Sequence, residues 1–365
     1  MRATAPEEER LCRLRRLLED ERLDAVLVPD LVNLRYLCGF TGTAGLLVVT
    51  ADEALFLTDG RYTLQAREET RGCRVEEARD LDGAAAARLD ALGAAFVGLQ
   101  AASVPAARWR RLGRLMRGAD LVDLGNGVDA LRAVKEPGEL EALRRAAVLA
   151  EGCLEAVLPL VRPGTTEEEV ARAFQIEAIR HGADGLAFEP IVAGGPRGAL
   201  PHAKPGPRPL QEGDLVVVDF GVRFQGYCSD ETVTLVLGDP GPEARRVYET
   251  VLRAQRAALE TLGPGVPLAD VDRAARKVIE EAGYGERFSH GTGHGVGLAV
   301  HEAPTIHARS SQVAEPGMVV TVEPGVYLPG RFGVRLEDTV VVTDTGYERI
   351  TGLPKAWGGL AAGRR

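Results

Sequence analysis

The sequence predicts an α/β layered domain followed by an α+β domain built as a duplication. Three observations carry this reading. Between residues 24 and 124, short β-branched runs alternate with helical periods. Beyond a Gly125-Asn126-Gly127 break, a helix-plus-hairpin unit occurs and then recurs at an offset of 101 to 104 residues. The strands of the two copies carry an acid at the same place. With 365 residues, 45% of them hydrophobic, the chain is long enough for two cores.

In order, residues 6–22 read as a helix with Leu11, Leu14, Leu17 and Leu18 on one face. DAVLVP (24–29) is a short buried strand. AGLLVVT and EALFLTD form a hairpin around Ala51-Asp52, followed by a helix over 61–70. A strand (73–78), helix (80–92), strand (94–100), helix (103–116) and strand (119–124) complete the rhythm. This half holds no histidine and no paired acids, so it reads as a packing or dimerisation domain that closes one side of a cleft. The expected organisation is a first domain over 1–125, a linker over 126–140 and a second domain over 141–365.

The second domain opens with a helix from Glu136 to Leu160, stopped by Pro163-Gly164. Thr165-Thr-Glu-Glu168 is a capping box for the next helix, to about Gly182. PGTTEEEVARA (163–173) then matches PGVPLADVDRA (264–274), and Gly182 meets Gly283. GDLVVVDFG (213–221) matches GMVVTVEPG (317–325), which sets Asp219 against Glu323. Two such copies pack about a pseudo-twofold axis, with acids from each meeting at the centre.

Each copy carries an acid pair. The hairpin over 213–234, with its turn near Phe224, puts Asp219 roughly opposite Asp230. The second, with its turn near Gly330, puts Glu323 across from Glu337. Facing carboxylates repel, and burying them is costly without a compensating cation. The first hairpin alone leaves open a solvated polar strand face. Four carboxylates match two divalent cations, and oxygen donors with some imidazole suit Mn, Co or Zn. The imidazole comes from His290-Gly-Thr-Gly-His294, whose glycines argue against a helix and for backbone passing close to something. His202, His290, His294 and His301 flank the acidic hairpins; His181 and His307 read as structural.

Net charge is −9, so nothing points to nucleic acid, and the Arg108–Arg114 run reads as a solvated helix face. Five unpatterned cysteines fit a reducing compartment. The start, MRATAPEEERLCRL, lacks the apolar core of a signal peptide. No apolar run approaches the ~20 residues of a membrane span. A soluble cytoplasmic protein is expected.

VVVDFG, SDETVT, HGTGHGVGL, VHEAP, TVEPG and GVRLED, in this order over about 187–345, resemble the successive motifs of the pita-bread metallopeptidases. YLCGFTGTAGLLVVT, FLTDGRY and LRAVKEPGELEALRRAA resemble the smaller creatinase-like domain and linker of the prolidase and aminopeptidase P branch. Methionine aminopeptidases lack that domain and are set aside. The resemblance implies a small N-terminal α/β domain followed by a pseudo-twofold pita-bread catalytic domain. It implies two divalent ions per chain, manganese foremost, with a shared water deprotonated near neutral pH that attacks a carbonyl.

Residue roles follow from the resemblance. Asp219 would chelate one metal, Asp230 and Glu337 would bridge both, and His294 and Glu323 would complete the second. Glu323 would also shuttle the proton. His202 would lie by the scissile bond, His301 would stabilise the tetrahedral intermediate, and His290 would line a proline pocket. Arg335 would either meet a substrate carboxylate or hold a ligand by an ion pair. Glu231 and Asp338 alternate to the other strand face and are left out, as is Glu302. The implied activity is removal of an N-terminal residue from peptides with proline second, by a homodimer, with no nucleic acid or membrane partner. The alternatives are a dipeptidase restricted to Xaa-Pro, a creatinase-like hydrolase without metal, and a binding scaffold without catalysis.

Overall fold

A computed structural model of the chain describes residues 6–360 and 362. It divides into two compact units, Met1–Arg132 and Ala133–Arg365. The segment read for a signal peptide begins outside the described residues.

The first unit is one six-stranded sheet with helices. The strands are β1 (Ala25–Val28), β2 (Leu46–Thr50), β3 (Ala54–Thr58), β4 (Arg74–Glu77), β5 (Phe96–Leu99) and β6 (Asp120–Asp123). Their order is β4-β3-β2-β1-β5-β6. β1, β2 and β3 form an antiparallel meander, while β4, β5 and β6 join in parallel. The helices are α1 (Pro6–Asp20), α2 (Leu31–Cys38), α3 (Thr63–Glu69), α4 (Leu81–Leu92), α5 (Ala106–Leu115) and α6 (Gly127–Ala130). The continuous apolar runs of β1 and β3 are buried throughout. α2 has no counterpart in the sequence reading, because eight residues barely show a helical period. Its ends explain it: Asp30 accepts from the Asn33 N–H, and Gly39 closes the helix at φ +84°. α6 lies where the sequence suggested a break and linker, and it stays with the first unit.

The second unit repeats one design twice. Helices α7 (Pro137–Val157) and α8 (Glu167–Arg180) pack together, as do α9 (Pro242–Thr261) and α10 (Leu268–Glu281). The capping box of α8 uses Thr166 and Glu169, one residue later than read, because Thr166 is the residue with extended backbone. The first half carries β7 (Gly185–Leu186), β8 (Ile191–Gly194), β9 (Leu215–Phe220), β10 (Val222–Phe224), β11 (Tyr227–Cys228) and β12 (Glu231–Val236). The second carries β13 (Gly293–Gly295), β14 (Glu302–Ile306), β15 (Val319–Val322), β16 (Gly325–Leu328), β17 (Phe332–Arg335), β18 (Asp338–Val342) and β19 (Tyr347–Arg349). Each half buries its own apolar cluster, with Phe174 edge-on to Phe220 in the first and Val251, Ile279, Val320 and Val340 in the second.

Backbone hydrogen bonds repeat at the sequence offset. Gly164 donates to the Leu210 carbonyl at 2.9 Å and Gly265 to Ala314 at 2.8 Å. Leu210 donates to Thr165 at 2.9 Å and Ala314 to Val266 at 2.8 Å. The bridges Thr166↔Pro209 and Pro267↔Val313 follow the same rule. Among the described residues no helix is long and apolar enough to cross a membrane.

Candidate metal centre

The acids sit where paired strands of the two halves meet. In the first hairpin β9 and β12 pair antiparallel with Asp219 opposite Thr232. This corrects the expected pairing of Asp219 with Asp230. The turn is Gln225-Gly226, one step beyond Phe224, and both residues have positive φ (+49° and +79°). Asp230 therefore lies diagonal to Asp219, but the two-residue shift preserves parity, so both side chains keep the same face. In the second hairpin the pairs Val322↔Asp338 and Gly325↔Arg335 hold one register across Glu323 and Glu337.

Between the hairpins runs the His290–Gly297 backbone. Close approach dictates its glycines: a Cβ on Gly293 would lie 1.9 Å from the Thr321 carbonyl oxygen, and one on Gly295 2.3 Å from that of Ala303. Buried Asp272 fixes this segment, accepting from the Thr292 N–H at 3.1 Å and the Thr292 hydroxyl at 2.8 Å. Arg276 pairs with Asp272 and donates to the His290 carbonyl at 2.7 Å.

Asp230, His294 and Glu337 offer ligand atoms that all lie within 4.8 Å of one another. His294 Nε2 is 3.6 Å from Asp230 Oδ2 and 3.5 Å from Glu323 Oε1. Asp219 lines the same cavity, which has a volume of about 780 Å³. The second unit thus brings all five expected ligand residues to one cavity wall.

The electrostatics of this wall are unbalanced. Burial pushes the Glu337 carboxyl up to about 8, with the Asp219 charge adding to it. Burial also raises Asp230 and Glu323 well above the carboxylate range, and Glu337 raises both further. Asp219 is raised by burial and held back by Arg335. Burial holds His294 and His290 down at about 4.

These groups fit divalent cations. The His294 Nδ1–H donates to the Gly295 carbonyl at 3.2 Å, so Nε2 of the neutral ring carries its lone pair toward the Asp230 and Glu323 oxygens. Lone pairs facing lone pairs in a buried site are what a cation resolves. Asp219 Oδ1 is buried without any hydrogen-bond partner, an orphan acceptor of the kind a metal satisfies.

Arg335, 3% exposed, is the hub of the support around this wall. Its Nη2 donates to Asp219 Oδ2 at 2.6 Å and its Nε to the Thr232 hydroxyl at 3.2 Å. Its Nη1 donates to the Tyr327 hydroxyl and to the Pro201 carbonyl, each at 3.0 Å. Of its two expected roles, this geometry shows the ion pair, made with Asp219. Thr232 in turn donates to Glu337 Oε2 at 2.6 Å.

His290 Nδ1–H donates to the Gly291 carbonyl at 2.8 Å, so its Nε2 accepts from the Tyr327 hydroxyl at 2.8 Å. His301 packs on His294 with ring centroids 4.4 Å apart and planes tilted by 58°, and lines the cavity, as does His202 from the turn after Pro201. His307 also lines the cavity, unlike the structural role read for it. His181 sits at the end of α8, exposed. Glu302 is buried against Lys135 at 2.9 Å, away from the acids. The sequence reading missed Tyr327, Thr232, Asp272 and Arg276. Tyr327 shares parity with Glu323, and Thr232 with Asp230, so strand alternation alone marks them as facing the site.

Comparison with known proteins adds the family. The pattern described as metallopeptidase family M24 matches residues 141–344. The chain belongs to metallopeptidase family M24. A pattern for the creatinase/prolidase N-terminal domain matches residues 10–134 of this M24 peptidase. An uncharacterized peptidase of Bacillus subtilis, YqhT, is 38% identical over 347 residues, 95% of this chain and 98% of that one. The structure of an Xaa-Pro dipeptidase from Bacillus anthracis is 36% identical with a TM-score of 0.93, covering 96% of this chain and 99% of that one. An X-Pro aminopeptidase from Thermotoga maritima is 35% identical with a TM-score of 0.87, covering 95% and 99%. The M24 metallopeptidase family implies divalent metal ions, and the acidic wall with His294 is the cluster suited to them.

Proposed function

We propose that this M24 peptidase is an Xaa-Pro aminopeptidase, releasing an N-terminal residue from peptides with proline in second position. The observation that carries the reading is the cluster of four carboxylates, Asp230 and Glu337 buried and Asp219 and Glu323 partly so, with His294 Nε2 on one cavity wall and further histidines beside it. Asp219, Asp230, His294, Glu323 and Glu337 would hold two divalent ions, manganese foremost. The ions would supply Lewis acidity and lower the pKa of water.

The chain's own residues would do the rest. Glu323 would carry a proton toward the departing proline nitrogen. His301 would donate a hydrogen bond to the oxyanion, and His202 would orient the substrate carbonyl. His290, whose ring stands edge-on to Phe288 at 5.0 Å and is fixed by Tyr327, would face the proline ring. A proline nitrogen carries no hydrogen, so an apolar surface without an acceptor suits it.

Substrate length divides the two readings. Arg335 spends its guanidinium on Asp219, Thr232, Tyr327 and Pro201, leaving little for a substrate carboxylate, which supports the aminopeptidase. Arg309 lies exposed on the cavity lining and favours the alternative, an Xaa-Pro dipeptidase whose substrate ends in a carboxylate there. Hydrolysis of Xaa-Pro and Xaa-Pro-Xaa at equal concentration with Mn²⁺ separates them. Cleavage of the dipeptide with the tripeptide untouched would overturn the aminopeptidase assignment. The reading extends to a cytoplasmic homodimer in which residues 1–125 contribute to pairing. Sedimentation of the whole chain and of residues 134–365 checks the pairing.

A further inference from the structure

Behind the acidic wall, on the opposite face of the same strands, lies a second charged cluster. Glu231 follows Asp230 and Asp338 follows Glu337, and strand alternation turns both away from the cavity. Both are 1% exposed. Lys355, 8% exposed, reaches between them: its Nζ is hydrogen-bonded to Glu231 Oε1 and stands 3.4 Å from Asp338 Oδ1. Its position is itself fixed. Nζ donates to the Leu353 carbonyl at 3.2 Å, the Lys355 carbonyl accepts from the Tyr248 hydroxyl at 3.1 Å, and Tyr248 meets Trp357 edge-on at 5.1 Å.

Glu231 and Asp338 belong to different halves of the duplication, as do Asp230 and Glu337. On the front the halves are joined reciprocally. Thr232, two residues after Asp230, donates to Glu337 Oε2 at 2.6 Å, and Thr339, two residues after Glu337, donates to the Asp230 carbonyl at 2.7 Å. Lys355 closes the same joint from behind. Asp338 also accepts from Gln255 at 3.1 Å and Thr351 at 3.1 Å, so its carboxylate is immobile. Asp338 also has the half-exposed Arg349 Nε at 3.4 Å, whereas Glu231 has Lys355 as its ion-pair partner.

We propose that Lys355 is a positioning residue for the metal centre: by neutralising Glu231 and Asp338 together it sets the separation of Asp230 and Glu337 on the other face. The proposal rests on the reading that those two acids bridge a pair of cations. Without the ammonium, Glu231 and Asp338 repel with only the half-exposed Arg349 Nε, 3.4 Å from Asp338, left beside them, and the strands part at the point where their neighbours must share ions. A change one peptide unit away from a ligand reaches it directly, since Asp230 and Glu231 share a backbone.

The test is calorimetric titration of Mn²⁺ into the metal-free full chain, with electron paramagnetic resonance of the loaded protein to detect exchange coupling between paired ions. Wild type is expected to take two ions with a coupled signal. Lys355→Met is expected to lose about 10–100-fold in affinity for the second ion and to lose the coupling. Lys355→Arg is expected to recover most of both. Should Lys355→Met not fold, Lys355→Gln takes its place with the same expected loss, and the neutral pair Glu231→Gln with Lys355→Gln, which removes one of the two like charges, is expected to recover the coupling. Two ions bound at wild-type affinity with intact coupling in Lys355→Met or Lys355→Gln, or a loss that persists in the neutral pair, overturn the proposal while leaving the metal centre standing. A wild-type chain that takes no ion pair removes the metal-centre reading and this proposal with it.

Discussion

Arg335, from β17 of the second half, donates to Asp219 Oδ2 of the first half at 2.6 Å. One guanidinium thereby orients an acid from the other copy and, through Tyr327 and Pro201, also holds His290 and the turn that carries His202. Arg335→Ala leaves Asp219 buried without its cation. The expected cost is about 3–5 kcal/mol of stability, with activity lost alongside. Arg335→Lys, which keeps the charge but not the planar fork, should recover stability more than activity. Equal recovery of both, by thermal unfolding and peptide hydrolysis, would contradict the positioning argument.

Glu337→Ala and Asp230→Ala remove acids that we propose bridge the ions. Metal content and activity are expected to fall together, measured by elemental analysis of the purified variants. A Glu337→Ala protein with full activity would remove this assignment.

His301 and His202 line the cavity and are not among the proposed ligands. His301→Ala and His202→Ala should both keep wild-type metal content and lose roughly 10²–10³-fold in turnover. Loss of metal in either variant would make that histidine a ligand instead.

Stability of the chelated protein should fall as pH rises. An acid whose folded pKa is raised binds more protons folded than unfolded, so its contribution is lost between its unfolded value and its folded one. For Glu337 that window runs from 4.5 to about 8. His290 and His294, held at about 4, act in the opposite sense, but only below 6.5. Between pH 6.5 and 8 the raised carboxyls dominate, each adding a slope of up to about 1.4 kcal/mol per pH unit. The thermal midpoint in EDTA should drop across this window, and the drop should vanish with Mn²⁺. A midpoint that rises with pH in EDTA would contradict the buried-acid account.

Much of the site is legible because it depends on strand parity. The match of Asp219 with Glu323 needs only the two-residue alternation and a repeat. The same alternation excludes Glu231 and Asp338 from the cavity, and the structure turns both to Lys355. The Asp219 register was misread because Gln225, a non-glycine residue at φ +49°, gives no sign of a left-handed turn. Lys355 was invisible for another reason. The stretch from Thr351 to Trp357 contains no helix or strand, so tertiary contacts such as that with Tyr248 alone fix its place. α2 escaped because a cap at Asp30 and a stop at Gly39, rather than a long apolar stripe, define it.

The repeated backbone bonds of the second unit carry a historical consequence. A polypeptide with a single copy of the helix pair and hairpin would own two of the four acids and could gather all four only by pairing with its twin. Such a twin pair would be bound to present every side chain twice. His294 stands in one copy only: Gly295 pairs with Val320 as Gly194 pairs with Val216, which sets Ala193 at the place of His294 in the other copy. Joining the copies in one chain lets that one position carry an imidazole in one half and a methyl group in the other. The lopsided wall is the mark of a fusion that let identical halves become different.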